Sequence, residues 1–156
     1  MSKRRKNIEE FFNAYESHFN DAISNESIDM EEVVSAFANC FVESSPAGVF
    51  CGQNDAGFLD KIKQGFEFYK RIGTRGMNII SKEITLLDDF HSLAKIYWRY
   101  SYVKDNAPGT IDFNVFYLVN TIYDNEIKIF AYIAGDEKKA LKERGLISQE
   151  EAVHHS

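Results

Sequence analysis

Between Met77 and Ala134 the chain carries four apolar runs separated only by short turn segments. In one of them Ala94, Ile96, Trp98, Tyr100 and Tyr102 alternate with Lys95, Tyr97, Arg99 and Ser101. That period of two predicts a half-buried strand over Phe90 to Lys104. A partner strand is predicted from Thr110 to Asp124, with Ile111, Phe113, Val115, Tyr117 and Val119 on one face. Asp105 to Gly109 supplies the turn between them, closed by Pro108-Gly109. Met77 to Leu87 reads as the strand before, with Asn78, Ile80, Ile84 and Leu86 facing one way and Asp88-Asp89 as its turn. Asp124-Asn125 turns the chain into a last strand over Ile127 to Ile133. Links this short make antiparallel neighbours.

Before Met77 the period is helical. Ile8, Phe11, Phe12, Tyr15, Phe19, Ala22 and Ile23 fall on one face and predict a helix from Asn7 to Ser24. A second helix is predicted to start at Asp29 as N-cap, with Glu32 in the capping-box position and Ile28 stapling onto Val33. Val33, Val34, Phe37, Cys40 and Phe41 form its apolar face. Glu43 to Asp55 contains Pro46, Gly48 and Gly52 and reads as a breaker loop, with room for a short strand at Val49-Phe50-Cys51. Asn54 or Asp55 caps a third helix carrying Phe58, Leu59, Ile62, Phe66 and Tyr69, which ends at Gly73 to Gly76. A short terminal helix follows the last strand, with Asp136 as N-cap, Leu141 inward and Gly145 just past its end.

Helices gathered on one side of an antiparallel sheet define an α+β domain. The expected division is a disordered basic tail over residues 1–7, a single domain over 8–147 and a flexible tail over 148–156, which contains His154-His155.

Charge narrows the function classes. A net charge of −6 argues against a nucleic-acid surface, and the one basic cluster, Lys3 to Lys6, precedes the first periodic segment. No apolar run is long enough for a membrane span or a leader, so a cytoplasmic location is expected. Aromatic residues make up 14% of the chain, enough to line a pocket or to fill a core. Cys40 and Cys51 lack basic neighbours in sequence and are expected to be small buried apolar residues. The histidines show no metal-ligand spacing, so neither a metal nor a cofactor is expected.

Three local pieces carry a family resemblance. They are Asn13-Ala14-Tyr15 on the first helix, Phe41-Val42-Glu43-Ser44 leading to Gly52, and Asp124 to Ile127 running on through Tyr132 to Lys142-Glu143-Arg144-Gly145-Leu146. With the order of elements, they resemble the nuclear-transport-factor-2-like superfamily and its SnoaL-like and ketosteroid-isomerase-like members. The resemblance implies a cystatin-like cone, a curved antiparallel sheet wrapped around three N-terminal helices. It also implies a homodimer through the sheet face. Tyr15 stands where the isomerases keep a tyrosine donating to the substrate carbonyl. Their carboxylate base corresponds to Ser44, and their second donor to Val119. Two of three catalytic positions are therefore absent, which disfavours steroid isomerisation.

Candidate residues follow. Tyr15 is either an oxyanion donor or a core tyrosine. His18, one turn further along, shares its side of the helix, and Glu43 offers a displaced base. His91 follows Asp88-Asp89-Phe90 and is expected to face solvent. Pocket walls are expected from Tyr15, Phe37, Phe41, Trp98, Tyr100, Tyr117 and Tyr132. Phe116, Leu118 and Ile122, on the other side of the sheet, are expected to make an apolar dimer face. Three functions stand open: a binder of a small hydrophobic molecule, a general acid–base enzyme of isomerase, dehydratase or cyclase type, and a structural dimer with a filled cone.

Overall fold

The computed structural model describes residues 2–24, 30–122 and 126–148. Helix α1 (Lys3–Ser24) leads into the single turn α2 (Glu31–Val34), then strands β1 (Phe37–Ser45) and β2 (Gly48–Gln53). Helix α3 (Ala56–Arg71) follows, then β3 (Thr74–Leu86), β4 (His91–Lys104), β5 (Ala107–Asn120), β6 (Lys128–Ala134) and α4 (Glu137–Glu143). The six strands form one curved open sheet in the order β2-β1-β6-β5-β4-β3, an α+β architecture with helices over the inner face.

Two helix starts match their sequence signals. The Asp55 side chain accepts from Phe58 N at the head of α3, and Asp136 accepts from Lys139 N at the head of α4. Gly145, at φ 72°, ends α4 in the left-handed region that favours glycine. Along β5, Ile111 and Phe113 pack on the core, and Val115, Tyr117 and Val119 lie inside it.

The second helix is where the local pattern misleads. Only Glu31 to Val34 is helical, and Phe37 to Ser45 is a strand. Phe37 and Phe41 suit either period, and pairing decides between them. Strand β1 runs parallel to β6 and forms a hairpin with β2 around Pro46-Ala47. The expected breaker loop is thus sheet, and the sheet has six strands, one pair of them parallel, in place of four antiparallel ones. The predicted cap and staple at Asp29 and Ile28, the Asp124-Asn125 turn and His154-His155 lie outside the described residues.

The basic N-terminal cluster is helix, not tail. Arg4 Nη2 donates to His91 O at 2.7 Å and to Ser92 Oγ at 3.0 Å, and Arg5 donates to Ile84 O. Further along α1, the Asn20 side chain accepts from Met77 N and donates to Met77 O, both at 2.7 Å, and Glu16 accepts from Ile79 N. Helix α1 therefore satisfies the open edge of β3 with its own side chains, one remedy for an unpaired sheet edge.

Two strand details also differ from the pattern. Ile80 is an extra residue between the Ile79–Trp98 and Ser81–Tyr97 pairs. This bulge reverses the facing of β3, so Asn78 and Ile80 point out while Ile84 and Leu86 pack in. The β4–β5 hairpin turns on Asp105 and Asn106, both at positive φ (51° and 65°), as a two-residue turn of the primed type demands. Pro108 and Gly109 belong to the strand, paired with Val103 and Tyr102.

Candidate functional site

The inner sheet face and the helices enclose a connected set of rings. Tyr15 packs against Phe12, Phe19, Phe37, Trp98 and Tyr117, with centroid separations of 6.2–6.5 Å. Phe37 continues to Phe41 and Tyr132, and Tyr69 links Phe19 to Tyr100. All seven residues expected as walls join this cluster, but they mostly pack on one another.

Among the described residues two open spaces border this cluster, the smaller of them at α4. A cavity of about 90 Å³ sits between β5, the end of β6 and α4, lined by Tyr100, Ile111, Phe113, Val115, Leu141 and Glu137 among others. Its walls are apolar apart from a few polar tips. Glu137 is the first residue of α4, and its carboxyl group is buried. The Tyr69 hydroxyl donates to Glu137 Oε1 at 2.6 Å. Burial pushes the Glu137 carboxyl above its ordinary pKa, against the lowering effect of the Tyr69 bond and Lys138, and Glu43 adds to the rise. Lys138 beside it is pushed down by burial, and Glu43, Glu137 and Asp136 oppose that shift.

The phenols respond to the same environment. Burial raises Tyr15, Tyr69, Tyr117 and Tyr132, and lifts Tyr100 to about 12 against its bond with Thr74. Tyr100 Oη lies 2.6 Å from Thr74 Oγ1, and Trp98 Nε1 donates to the Tyr117 hydroxyl at 3.2 Å. The Tyr15 hydroxyl has no hydrogen bond among the described residues.

The catalytic candidates are dispersed. Tyr15 and His18 both line a second recess, of about 250 Å³, together with Glu32 and Lys128. No hydrogen bond joins Tyr15 to His18 or Glu43. Glu43 lies directly across β1–β6 from Tyr132, whose ring packs inward on Phe37 and Tyr117. Ser44 pairs with Ile133, which is exposed, so at this point in the strand the carboxylate faces in and the serine faces out. Val119 is fully buried. His91 is half-exposed, and its Nδ1 lies 2.9 Å from Asp88 Oδ1. The Asp88 carboxyl is held below its ordinary value, first by the Phe90 backbone N–H and then by His91.

Sequence reasoning missed Glu137 and the part played by Tyr69. Asp136 marks the head of a helix, but nothing local says that the next side chain turns under it towards α3. The expectation of buried cysteines is overturned: Cys40 and Cys51 are free and exposed on the outer face of β1 and β2, where strand alternation places them. Among the described residues no group of three or more His, Cys, Asp or Glu is arranged to hold a metal, and no helix is long and apolar enough to cross a membrane.

Comparisons place this architecture. An NTF-2-like protein of unknown function from Shewanella oneidensis aligns with a TM-score of 0.65 at 16% identity, covering 84% of this chain and 98% of that one. A ketosteroid isomerase-like protein from Erwinia carotovora aligns at 0.63 and 13% identity, covering 86% and 97%. An NTF2-like protein with a cystatin-like fold from Novosphingobium aromaticivorans aligns at 0.65 and 11% identity, covering 94% and 90%. At these identities the likeness shows the fold alone. No curated protein matches the chain by sequence. The profile of the family described as NTF2-like protein (DUF6841) matches residues 5–137, and the chain belongs to that family.

Proposed function

We propose that this protein binds a small neutral organic molecule in the end of the cone covered by α4, with the Tyr69–Glu137 pair as its polar anchor. One observation carries the reading: a buried carboxyl group, raised by desolvation and held by Tyr69 at 2.6 Å, borders a mostly apolar cavity. Burial favours the acid form of this carboxyl, and in that form it donates a hydrogen bond, so the ligand class that suits it is an apolar body with a carbonyl or hydroxyl acceptor.

Size limits the ligand. At about 90 Å³ the cavity matches roughly three waters, each with about 30 Å³ of liquid volume. Six-membered rings, and still more the larger molecules of the 300–1,000 Å³ class, need α4, a helix of seven residues, to move away.

Cyclohexanone, cyclohexane and benzoate, titrated into ¹⁵N-labelled protein, test this. Resonances of Tyr100, Glu137 and Leu141 should shift with cyclohexanone, more at acidic than at neutral pH, and should not shift with benzoate. Absence of any shift at these residues with all three probes would sink the reading.

General acid–base catalysis is the second reading, favoured by the inward carboxylate of Glu43 beside Tyr132. It rests on Glu43 and Glu137, since Tyr15 is hydrogen-bonded to no base. Accelerated loss of the α-proton signal of cyclohexanone in D₂O, abolished in Glu43→Gln, is its signature. We also propose that the outer face of β5 and β6, where Phe116, Leu118, Ala131 and Ile133 adjoin, pairs with a second copy of the chain.

A further inference from the structure

The sheet edge farthest from α1 carries two thiols that the reading above leaves unused. Cys40 lies on β1 and Cys51 on the edge strand β2, both exposed. In their register Cys40 stands opposite Gln53, and Val42 opposite Cys51. Strand alternation puts these four side chains on the outer face, because Phe41 between them packs inward on Phe37 and Phe58. The Ser45–Gly48 pair closes the hairpin. Counting back from it, the Val42–Cys51 and Cys40–Gln53 pairs are the non-hydrogen-bonded kind, in which side chains stand closest.

Cys40 and Cys51 are therefore diagonal neighbours, with α-carbons about 7–8 Å apart and β-carbons nearer. That exceeds the span of a disulfide, whose α-carbons lie about 4.4–6.8 Å apart. It suits two sulfurs joined through an ion, since two metal–sulfur bonds of roughly 2.3 Å hold them at most about 4.6 Å apart. No third ligand of the His, Asp or Glu kind completes a cluster among the described residues. Two thiolates without further ligands suit a soft ion that accepts two-coordination and disfavour Zn(II), which takes four ligands.

We propose that Cys40 and Cys51 form a two-thiolate site for a soft monovalent ion of the Cu(I) type. Each thiol gives up one proton on binding, so one ion displaces two protons and the bound centre carries one negative charge. Val42, opposite Cys51, also pairs with Ala131, so the site lies at the margin of the proposed pairing face, with β6 between it and Phe116 and Leu118 on β5.

The test is anaerobic titration of the fully reduced chain with Cu(I) against a chromophoric Cu(I) chelator. The expected result is withdrawal of one ion per chain, weakened at least tenfold in Cys40→Ser and in Cys51→Ser. Both side chains are exposed, so thermal melts of the two variants should match the parent and exclude misfolding as the cause. Either variant withdrawing as much ion as the parent overturns the proposal. So does Zn(II) bound as tightly as Cu(I), or a doubling of native mass on adding the ion, which would mean bridging between chains.

Discussion

Strand β4 sends two tyrosines to opposite sides of one sheet. Tyr100 points in, is almost fully buried, meets Thr74 at 2.6 Å and has its phenol lifted to about 12. Tyr97 points out and donates to Glu83 at 3.1 Å, with Lys95 Nζ 5.0 Å from its ring centroid. The carboxylates divide in the same way. Glu137, under α4, is raised by burial, whereas Asp112, on the outer face, is lowered by its two bonds to Arg99 at 2.8 and 2.9 Å. A hydrogen-bond partner is present in both cases, so the partner alone does not set the direction. At Glu137 burial outweighs the neutral Tyr69 hydroxyl, whereas at Asp112 the charged Arg99 outweighs what little burial there is, so the balance of the two sets the direction.

The largest expected contrast comes from truncating the inner side of β4. Trp98→Ala removes a fully buried ring that touches Tyr15 and Phe19, and should cost about 3–5 kcal/mol in chemical denaturation. A cost below about 1 kcal/mol would mean that the rings do not form a packed interior.

Next is the pH profile. Glu137 binds its proton more tightly in the folded state than at the ordinary value of 4.5, so the folded chain holds the extra proton above that pH. Its contribution is fully present below 4.5 and is lost as pH rises through the folded pKa, so stability falls with rising pH in that window. Glu137→Gln should remove this slope, measured as the difference between variant and parent in denaturation series from pH 4 upward. Parallel curves would place the Glu137 carboxyl in water.

The outer face should give the smallest effect. Arg99→Ala breaks an exposed pair and should cost about 0.2–1 kcal/mol. In sedimentation velocity the parent should run as a dimer and Phe116→Glu as a monomer. A monomeric parent would remove the pairing proposed for this face.

Much of the fold is legible in the chain because burial writes its period locally. The alternation of Ala94 to Tyr102 and the helical spacing of Ile8 to Ile23 each report one face against one core. Where the sequence misleads, the cause lies beyond the segment. Phe37 and Phe41, four apart, fit a helix, and only the pairing of β1 with β6 and β2 makes them strand. Lys3 to Lys6 looks like a solvated tail because the acceptors of Arg4 and Arg5 lie some eighty residues away on β3 and β4. The bulge at Ile80 has no local sign at all.

The candidate site divides along the same line. Composition and period placed an aromatic interior behind β4 and β5, and the caps at Asp55 and Asp136 placed two helix heads. Whether Glu43 or Ser44 faces that interior depends on the register of a parallel strand pair. The meeting of Tyr69 and Glu137 spans sixty-eight positions. Such contacts are set by how elements stack, which hydrophobic period does not encode. The chain by itself determined an α+β domain with an aromatic core; only the tertiary structure decided which carboxyl groups are drawn into it, because burial of a charge is a property of the surroundings and not of the residue.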